Sequence, residues 1–316
     1  MAPHPVVLPP KLPDTPATPR PSAALIVINA RNEVLLVQRH PKSRDFGSST
    51  VFPGGNFDPK HDECLEETAL RETFEETGLL LVSPMKQSDQ LTKLPSRHEQ
   101  DEARKDIYSH KTTFKQFLSS HGLRPAKEHL LPFSAWVTPP NYPKRFRAQF
   151  FVVFLGDVPS TSGFAEGDRQ QYLLTPDTSE EISTIRFVHP STALHEFNVE
   201  HKISFPTPQA YNIATLADIL TSDCPTSEQQ ARIRQLSEAV YGKVTLHPLM
   251  LVGNGYKGRI VFTYEGDETR GGPVGQVHRS VDWVDDGLQF RSGVLLRNFD
   301  IFEMKQEWFE KYSPKL

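Results

Sequence analysis

Residues 52–79 read FPGGNFDPKHDECLEETALRETFEETGL, and this stretch decides the fold of the chain. On a helix Glu72 and Glu76 lie one turn apart, with Glu75 on the adjacent edge. The three carboxylates share one small patch of surface and repel each other unless a cation lies nearby. Hard divalent cations such as Mg2+ bind carboxylate oxygens and retain water. The pattern therefore favours a metal site that polarises phosphate oxygens and activates water.

The alternative interpretation of the same stretch is an acidic, solvent-exposed helix without a catalytic or binding function. Glu66 and Glu67 fit that interpretation well. The Phe-Pro-Gly-Gly turn ahead of the helix and the fixed intervals between its charged residues argue against it. Gly78 stands where a helix C-cap is expected, so we predict that the helix ends there.

The stretch resembles the Nudix box, whose pattern is Gly, five residues, Glu, seven residues, and Arg-Glu-aliphatic-any-Glu-Glu-any-Gly-aliphatic. Matching residues at the correct intervals are Glu63, Arg71, Glu72, Glu75, Glu76, Gly78 and Leu79. Two positions depart from the pattern: Thr73 replaces an aliphatic residue, and seven residues separate Gly55 from Glu63. Neither departure removes a metal ligand, because Thr73 can bond back to the preceding turn and the insertion lengthens only a loop.

The resemblance implies an α/β fold, a Nudix-type α/β/α sandwich with a mixed sheet. It also implies hydrolysis of a diphosphate by water with Mg2+ or Mn2+ as cofactor. Glu75 and Glu76 are then the first candidates for metal ligands, and Glu72 is a third ligand or the base that orients water. Glu63 is a secondary catalytic candidate, and Arg71 is a structural cation that holds the loop or the Glu side chains. A later carboxylate completes many such sites, and the candidates here are Glu166, Asp168, Glu180 and Glu181.

Composition agrees with a soluble enzyme of one large or two small domains, since 37% of the 316 residues are hydrophobic and 23% are charged. The net charge of -4 argues against a nucleic acid partner. Cys64 and Cys224 are the two cysteines, too few for a disulfide framework or a Cys-based zinc site, and they suit a reducing compartment. Cys64 is interpreted as a packing residue. No run of 18 apolar residues exists, so no membrane span is expected.

The order of segments predicts three parts. Residues 1–21 form a Pro-rich leader that is expected to be disordered, since eight of the 27 prolines fall in the first 22 positions. Residues 22–242 form the Nudix domain, with an insertion at about 86–130 that contains helix from Glu99 to Ser119. Residues 243–316 form a β-rich appendage. The C-terminal Pro314-Lys315-Leu316 is an imperfect peroxisomal address, so the expected location is cytosolic or peroxisomal.

Periodicity and turn residues predict the regular elements within these parts. Strands are expected at 23–29, 33–38, 79–82, 133–137, 149–155 and 182–188, and helices at 208–220 and 228–241. The first two strands form a hairpin around residues 29–32. A second hairpin is expected around Asp286-Gly287.

Segments outside the box are similar to the vertebrate acyl-coenzyme A diphosphatase branch of the Nudix superfamily. They are residues 35–39, 51–55, 58–59, 136–139, 145–146, 150–151 and 205–208. The resemblance implies cleavage of coenzyme A or its acyl esters to 3',5'-ADP and (acyl-)4'-phosphopantetheine. The related coenzyme A signature has three residues between an Arg and a Gly, whereas two separate Arg44 from Gly47 here.

A small-molecule diphosphate is thus the expected partner. Arg39 and Arg145 are the candidates to bind its phosphates, because guanidinium recognises phosphate with two donors, and Gly54 and Gly55 are further substrate-binding candidates. Aromatic side chains in strands are usually core, so packing is favoured over adenine stacking for Trp136, Phe150 and Phe151. His61 and His201 have no metal-ligand spacing.

Two alternatives remain open from the sequence. One is a different diphosphate substrate, such as NADH, ADP-ribose, a nucleotide sugar or capped RNA. The other is a binding protein on a Nudix scaffold that has lost catalysis. Such scaffolds usually lose a box Glu, and here every box Glu is present.

Overall fold

The computed structural model describes residues 15–43, 47–86, 94–159, 182–221, 226–251, 259–284 and 290–310. Several sequence predictions concern residues outside these ranges and stay predictions: most of the leader, Arg44, the four later carboxylates, the Asp286-Gly287 turn and the C-terminal address. Among the described residues, no helix has the length and apolar character needed to cross a bilayer.

The strands, in chain order, are β1 (Arg20–Ile28), β2 (Val34–Arg39), β3 (Thr50–Val51), β4 (Gly54–Asn56), β5 (Val82–Pro84), β6 (Leu123–Pro125), β7 (Leu131–Val137), β8 (Phe146–Phe154), β9 (Ile182–Val188), β10 (Thr245–Leu246), β11 (Leu249–Leu251), β12 (Arg259–Thr263), β13 (His278–Val284) and β14 (Phe290–Arg297). The α-helices are α1 (Leu65–Thr77), α2 (Arg97–Tyr108), α3 (Phe114–Ser120), α4 (Pro190–Asn198), α5 (Thr207–Ile219), α6 (Thr226–Glu238) and α7 (Glu307–Glu310).

The architecture is mixed α/β. The largest sheet has eight strands and contains antiparallel pairs such as β1 with β2 and a parallel pair of β7 with β10. A further antiparallel sheet follows the order β11-β12-β13-β14. The predicted mixed sheet and the β-rich C-terminal segment are both confirmed.

The chain divides into two compact units. The first unit comprises Pro21–Pro132 and Gln149–Pro190. Its β1 and β2 form the predicted hairpin, because the Asn29 side-chain oxygen accepts the N–H groups of Arg31 and Glu33 at 2.9 and 3.0 Å. Strand β2 lies between β3 and β9, and β1 also pairs with β4. Strand β4, which contains Gly54 and Gly55, lies beside α1.

The insertion in the first unit contains two helices where the sequence predicted one. Ser96 and Glu99 form a capping box that starts α2, and Thr113 and Gln116 form another that starts α3. The second capping box explains why the predicted helix is divided in two. The Thr113 side chain accepts the N–H of Gln116, and a new helix begins there. Both helices pack against α1 within one hydrophobic core.

The second unit comprises Met1–Arg20, Phe133–Ala148 and Ser191–Leu316. Its core is aromatic: Trp136 packs edge-to-face against Tyr211 and Tyr264, with ring centroids 5.0 and 5.6 Å apart. Trp136 is buried here, and Phe150 and Phe151 are buried in the first unit. All three aromatic side chains are therefore core residues, as their strand positions favoured.

Candidate active site

The box helix α1 ends at Gly78, as the sequence predicts. Gly78 adopts a left-handed conformation with φ of 74° and donates its N–H to the Phe74 carbonyl at 2.8 Å. Thr73 is buried and its hydroxyl bonds back to the Ala69 carbonyl at 2.7 Å. Cys64 precedes the helix, and burial raises the pKa of its thiol. The Thr73 departure from the box pattern therefore leaves the helix intact.

Arg71 is the centre of the site. Its Nε and Nη2 each donate to one carboxylate oxygen of Asp62 at 2.8 Å, and Nη2 also reaches the Asn56 carbonyl at 3.2 Å. Its Nη1 donates to Glu72 and to Glu75, both at 2.9 Å. Arg71 thus ties the loop before α1 to two of the box carboxylates, the structural role that the family resemblance implies.

Burial changes the acidity of these carboxylates. The Glu72 and Glu75 side chains are only 19% and 16% exposed. Burial raises the pKa of Glu72 to about 7, opposed by Arg71 and reinforced by the neighbouring Glu75. Burial also raises the pKa of Glu75 above its usual range. Burial thus outweighs the Arg71 charge, and both carboxyl groups hold their protons to higher pH than exposed glutamates do.

The Glu76 carboxylate contacts strands β4 and β2. Gly54 donates its N–H to Glu76 at 3.0 Å, and the Arg39 guanidinium lies 3.5 Å from the other oxygen of the same carboxylate. A Cβ placed on Gly55 would lie 2.5 Å from Cδ of Glu72, so only glycine leaves room for that side chain. The structure thus brings Arg39 and Gly54 to Glu76, and Gly55 to Glu72.

Other predicted residues lie elsewhere. Glu63 is exposed and pairs with Lys115, which lowers the pKa of the Glu63 carboxyl. Arg145 belongs to the second unit, where it donates to the carbonyls of Thr138 and Ala17 at 3.0 and 2.8 Å. The structure therefore does not gather Glu63 with the carboxylates, and it gives the Arg145 guanidinium two backbone partners.

In the described part of the chain, neither His61 nor His201 belongs to a group of three possible metal ligands. His61 packs its ring against His110 with centroids 5.3 Å apart. His201 bonds the Arg291 carbonyl at 3.0 Å. Both contacts agree with their lack of ligand spacing.

Sequence reasoning missed three participants. Asp62 is buried beneath Arg71, Glu67 is buried against Lys127 at 2.6 Å, and Arg104 of α2 reaches the backbone of α1. Asp62 shares no helical spacing with the box, so periodicity gave no signal for it. The signal that could have found Asp62 is the charge pattern of residues 58–71, in which acidic residues of the loop precede an Arg in the following helix.

The donor set suits a hard divalent cation in its chemistry. Glu72, Glu75 and Glu76 supply carboxylate oxygens, the ligand type that such cations prefer. In the described ranges, no three acidic, His or Cys side chains form a preassembled group of metal ligands, and Arg71 lies against Glu72 and Glu75. These three glutamates are the residues that would hold Mg2+ or Mn2+.

The fold and this glutamate-bearing helix define the class of domain. Residues 18–149 match the family model described as NUDIX domain, and the chain carries a Nudix domain. The match includes the whole box and the strands β1 to β4.

Individual relatives are distant. The chain is 25% identical over 203 residues to "Putative nudix hydrolase 7" of Caenorhabditis elegans, across 63% of this chain and 61% of that protein. It is 28% identical over 158 residues to "Acyl-coenzyme A diphosphatase NUDT19" of Xenopus laevis, across 47% of this chain and 38% of that protein. The match thus spans under two thirds of either curated relative.

A solved structure supports the fold. The crystal structure of a NUDIX hydrolase from Alicyclobacillus acidocaldarius is 25% identical with a TM-score of 0.50, over 66% of this chain and 95% of that one.

Proposed function

We propose that the protein hydrolyses a diphosphate linkage in a nucleoside diphosphate joined to another moiety, with Mg2+ or Mn2+ as cofactor. The observation that carries the proposal is the clustering of Glu72, Glu75 and Glu76 on α1, which Arg71 and the Gly54 N–H hold together. Repulsion between such close carboxylates destabilises the folded protein unless a bound cation offsets it. The Nudix domain match supports the same class of reaction.

In this reaction, water attacks one phosphorus, the bridging P–O bond breaks, and two phosphate monoesters leave. A bound divalent cation supplies charge for the phosphate oxygens and lowers the pKa of a coordinated water. Glu75 and Glu76 are the proposed cation ligands. Glu72 is a third ligand or the base that takes the proton from water.

Positioning of the substrate falls to the groups around the glutamates. Arg39 lies beside Glu76, and its guanidinium has the planar donor geometry that suits phosphate oxygens. Gly54 and Gly55 have no side chains, so strand β4 can lie close to β1 and to the Glu72 carboxylate. Arg145 stays a second candidate for phosphate binding, and Glu63 stays a peripheral catalytic candidate.

Coenzyme A or an acyl-coenzyme A is the proposed substrate, with 3',5'-ADP and (acyl-)4'-phosphopantetheine as products. Segments outside the box support this choice, together with the 28% identity to the protein named acyl-coenzyme A diphosphatase. NADH, ADP-ribose, nucleotide sugars and capped RNA are the competing substrates of the same chemistry. A binding protein without catalysis is the remaining alternative.

A substrate screen tests the proposal. The purified chain is incubated with Mg2+ or Mn2+ and with coenzyme A, an acyl-coenzyme A, NADH, ADP-ribose, a nucleotide sugar or capped RNA, and products are separated by chromatography. We expect the fastest turnover on coenzyme A derivatives. Turnover on NADH or ADP-ribose about tenfold above any coenzyme A derivative would reassign the substrate.

Three variants test which glutamates hydrolysis depends on. Glu76→Gln keeps the shape that accepts the Gly54 N–H but removes charge, and hydrolysis should fall by several orders of magnitude while the fold is retained. Glu66→Gln on the same helix is the matched control and should keep activity. Glu63→Gln should lose far less than Glu76→Gln, since Glu63 faces Lys115. Equal activity of wild type and Glu76→Gln would refute the proposed catalytic site.

A further inference from the structure

The insertion holds the end of the box helix through one side chain. Arg104 on α2 donates Nε and Nη2 to the main-chain carbonyl of Glu75, at 3.0 and 2.6 Å. Its side chain is only 9% exposed, so this contact is shielded from water. The last turn of α1 has no basic residue of its own. Arg104 therefore brings the positive charge that this helix end lacks.

This carbonyl needs an external donor. The last carbonyls of a helix have no partner within the helix. Gly78 satisfies the Phe74 carbonyl, and the N–H of Leu79 turns instead to the Thr77 hydroxyl at 3.1 Å. The Glu75 carbonyl then accepts the charged guanidinium, which interacts favourably with the negative end of the helix dipole.

The turn that Arg104 holds is the one that carries two of the candidate cation ligands. Glu75 and Glu76 lie in the last turn of α1, whereas Glu72 lies one turn earlier, against Gly55. Fraying of the last turn would move the first two carboxylates away from the third. A displacement of that kind changes the distances that a cation site depends on.

We propose that Arg104 is a positioning residue, which fixes the Glu75 and Glu76 carboxylates relative to Glu72 by holding the Glu75 carbonyl. The inference rests on the proposed function and deepens it, because it gives the insertion at 86–130 a part in assembling the site. Arg104 acts through the backbone of α1 and not on the substrate.

Further contacts of the insertion agree with this role. Phe74 of α1 stacks on Phe114 and Phe117 of α3, with ring centroids 5.5 and 5.8 Å apart. Lys115 pairs with Glu63, and Lys127 pairs with Glu67 near the start of α1. The insertion thus contacts both ends of the box helix, and Arg104 is its contact with the turn that bears the ligands.

Two substitutions test the role of Arg104. Arg104→Met keeps the length and the packing of the side chain but has no donor, and Arg104→Gln keeps one neutral donor on a shorter side chain. Lys105→Met is the matched control, since Lys105 lies next to Arg104 on the same helix and its side chain is exposed. Arg104→Lys keeps the charge and one directed donor, and it serves as the conservative rescue.

The measurement is Mn2+ affinity of each folded protein without substrate, by electron paramagnetic resonance, followed by kcat and KM on the best diphosphate. Loss of a group that orients metal ligands typically costs about 10–100-fold in metal affinity or activity. We expect losses in that range in Mn2+ affinity and kcat for Arg104→Met and Arg104→Gln, a KM within about twofold, and partial recovery in Arg104→Lys. Lys105→Met should match wild type.

Wild-type Mn2+ affinity and kcat in folded Arg104→Met would overturn the proposal. If Arg104→Met does not fold, the same result in Arg104→Gln overturns it. A wild-type chain that binds Mn2+ but cleaves no diphosphate would instead refute the proposed function. The Mn2+ affinities of the variants would still decide whether Arg104 positions the ligands.

Discussion

Arg71 and Asp62 face each other in a two-pronged ion pair, with Nε 2.8 Å from Oδ1 and Nη2 2.8 Å from Oδ2. Their side chains are 9% and 1% exposed. The Thr68 hydroxyl and the Asp58 N–H complete the environment of the second carboxylate oxygen at 2.9 and 3.1 Å. This pairing orients the guanidinium so that Nη1 is left for the two catalytic candidates.

Asp62→Asn should destabilise the protein by about 2 kcal/mol, because Arg71 loses a charge-assisted pair at a buried site while it keeps its contacts to Glu72 and Glu75. The measurement is the free energy of unfolding in urea, without added metal. Asp106→Asn is the control: Asp106 pairs with Lys111 on the surface, where both side chains are largely exposed, and should cost less than about 1 kcal/mol. Equal costs for the two variants would contradict the structural role of the Arg71–Asp62 pair.

Gly55→Ala should displace Glu72, since the new methyl group would lie 2.5 Å from the Glu72 carboxyl carbon. Small displacements of catalytic groups cost up to about 100-fold, so we expect kcat to fall by at least tenfold. Gly156→Ala is the matched control, because nothing lies within 4 Å of a Cβ at that position. Wild-type kcat in Gly55→Ala would show that Glu72 does not need its present position.

Local sequence signals predicted the box helix well. The carboxylate spacing, Gly78 and the Thr73 back-bond each concern neighbours within one or two turns, and the structure has all three. The hairpin of β1 and β2 follows from its turn in the same way. The break between α2 and α3 was also readable, since Thr113 and Gln116 have capping-box spacing, but the predicted single helix ignored that signal.

The partners of the box helix could not be predicted from spacing. Arg104 lies 29 positions from Glu75, and Lys127 lies 60 positions from Glu67. Such pairs depend on how α2 and α3 pack onto α1, which is set by shape and burial and not by sequence separation. Arg145 shows the converse. The sequence made it a candidate for phosphate binding, whereas in the structure its guanidinium donates to the carbonyls of Thr138 and Ala17.

The proposed coenzyme A specificity predicts a contribution of one Arg to recognition of the 3'-phosphate. The ratio of kcat/KM for coenzyme A to that for dephospho-coenzyme A should fall about tenfold in Arg39→Met, because that variant removes a charged donor to the extra phosphate. Arg145→Met should keep the wild-type ratio if its guanidinium serves only its two carbonyls. A fall in Arg145→Met alone would transfer the role to Arg145, and unchanged ratios in both would exclude both.

Asp282 in the second unit should make stability depend on pH. It is 1% exposed and accepts the hydroxyl of Thr207 at 2.9 Å and that of Ser280 at 3.3 Å. Burial raises its pKa to about 7, opposed by those two hydrogen bonds. No charged partner is among the causes of this shift, so the cost of burying the ionised carboxylate is not repaid by an ion pair.

Because the pKa is higher in the folded protein than the unfolded value of about 4, the folded state holds its proton while the unfolded state loses it. This contribution to stability is complete below about pH 4 and is lost as pH rises through 7, with a total on the order of 4 kcal/mol. Asp282→Asn keeps an acceptor for Thr207 and Ser280 but cannot ionise. Its advantage over wild type in urea unfolding should therefore grow from about pH 4 to about pH 7.5. Asp267→Asn is the contrast: burial raises the pKa of Asp267, but hydrogen bonds led by those of Arg279 outweigh burial and lower it, so wild type gains over that variant only at acid pH and the difference should stay level from about pH 5 to about pH 7.5. A constant difference between wild type and Asp282→Asn across this range would mean that Asp282 is not buried as the structure shows.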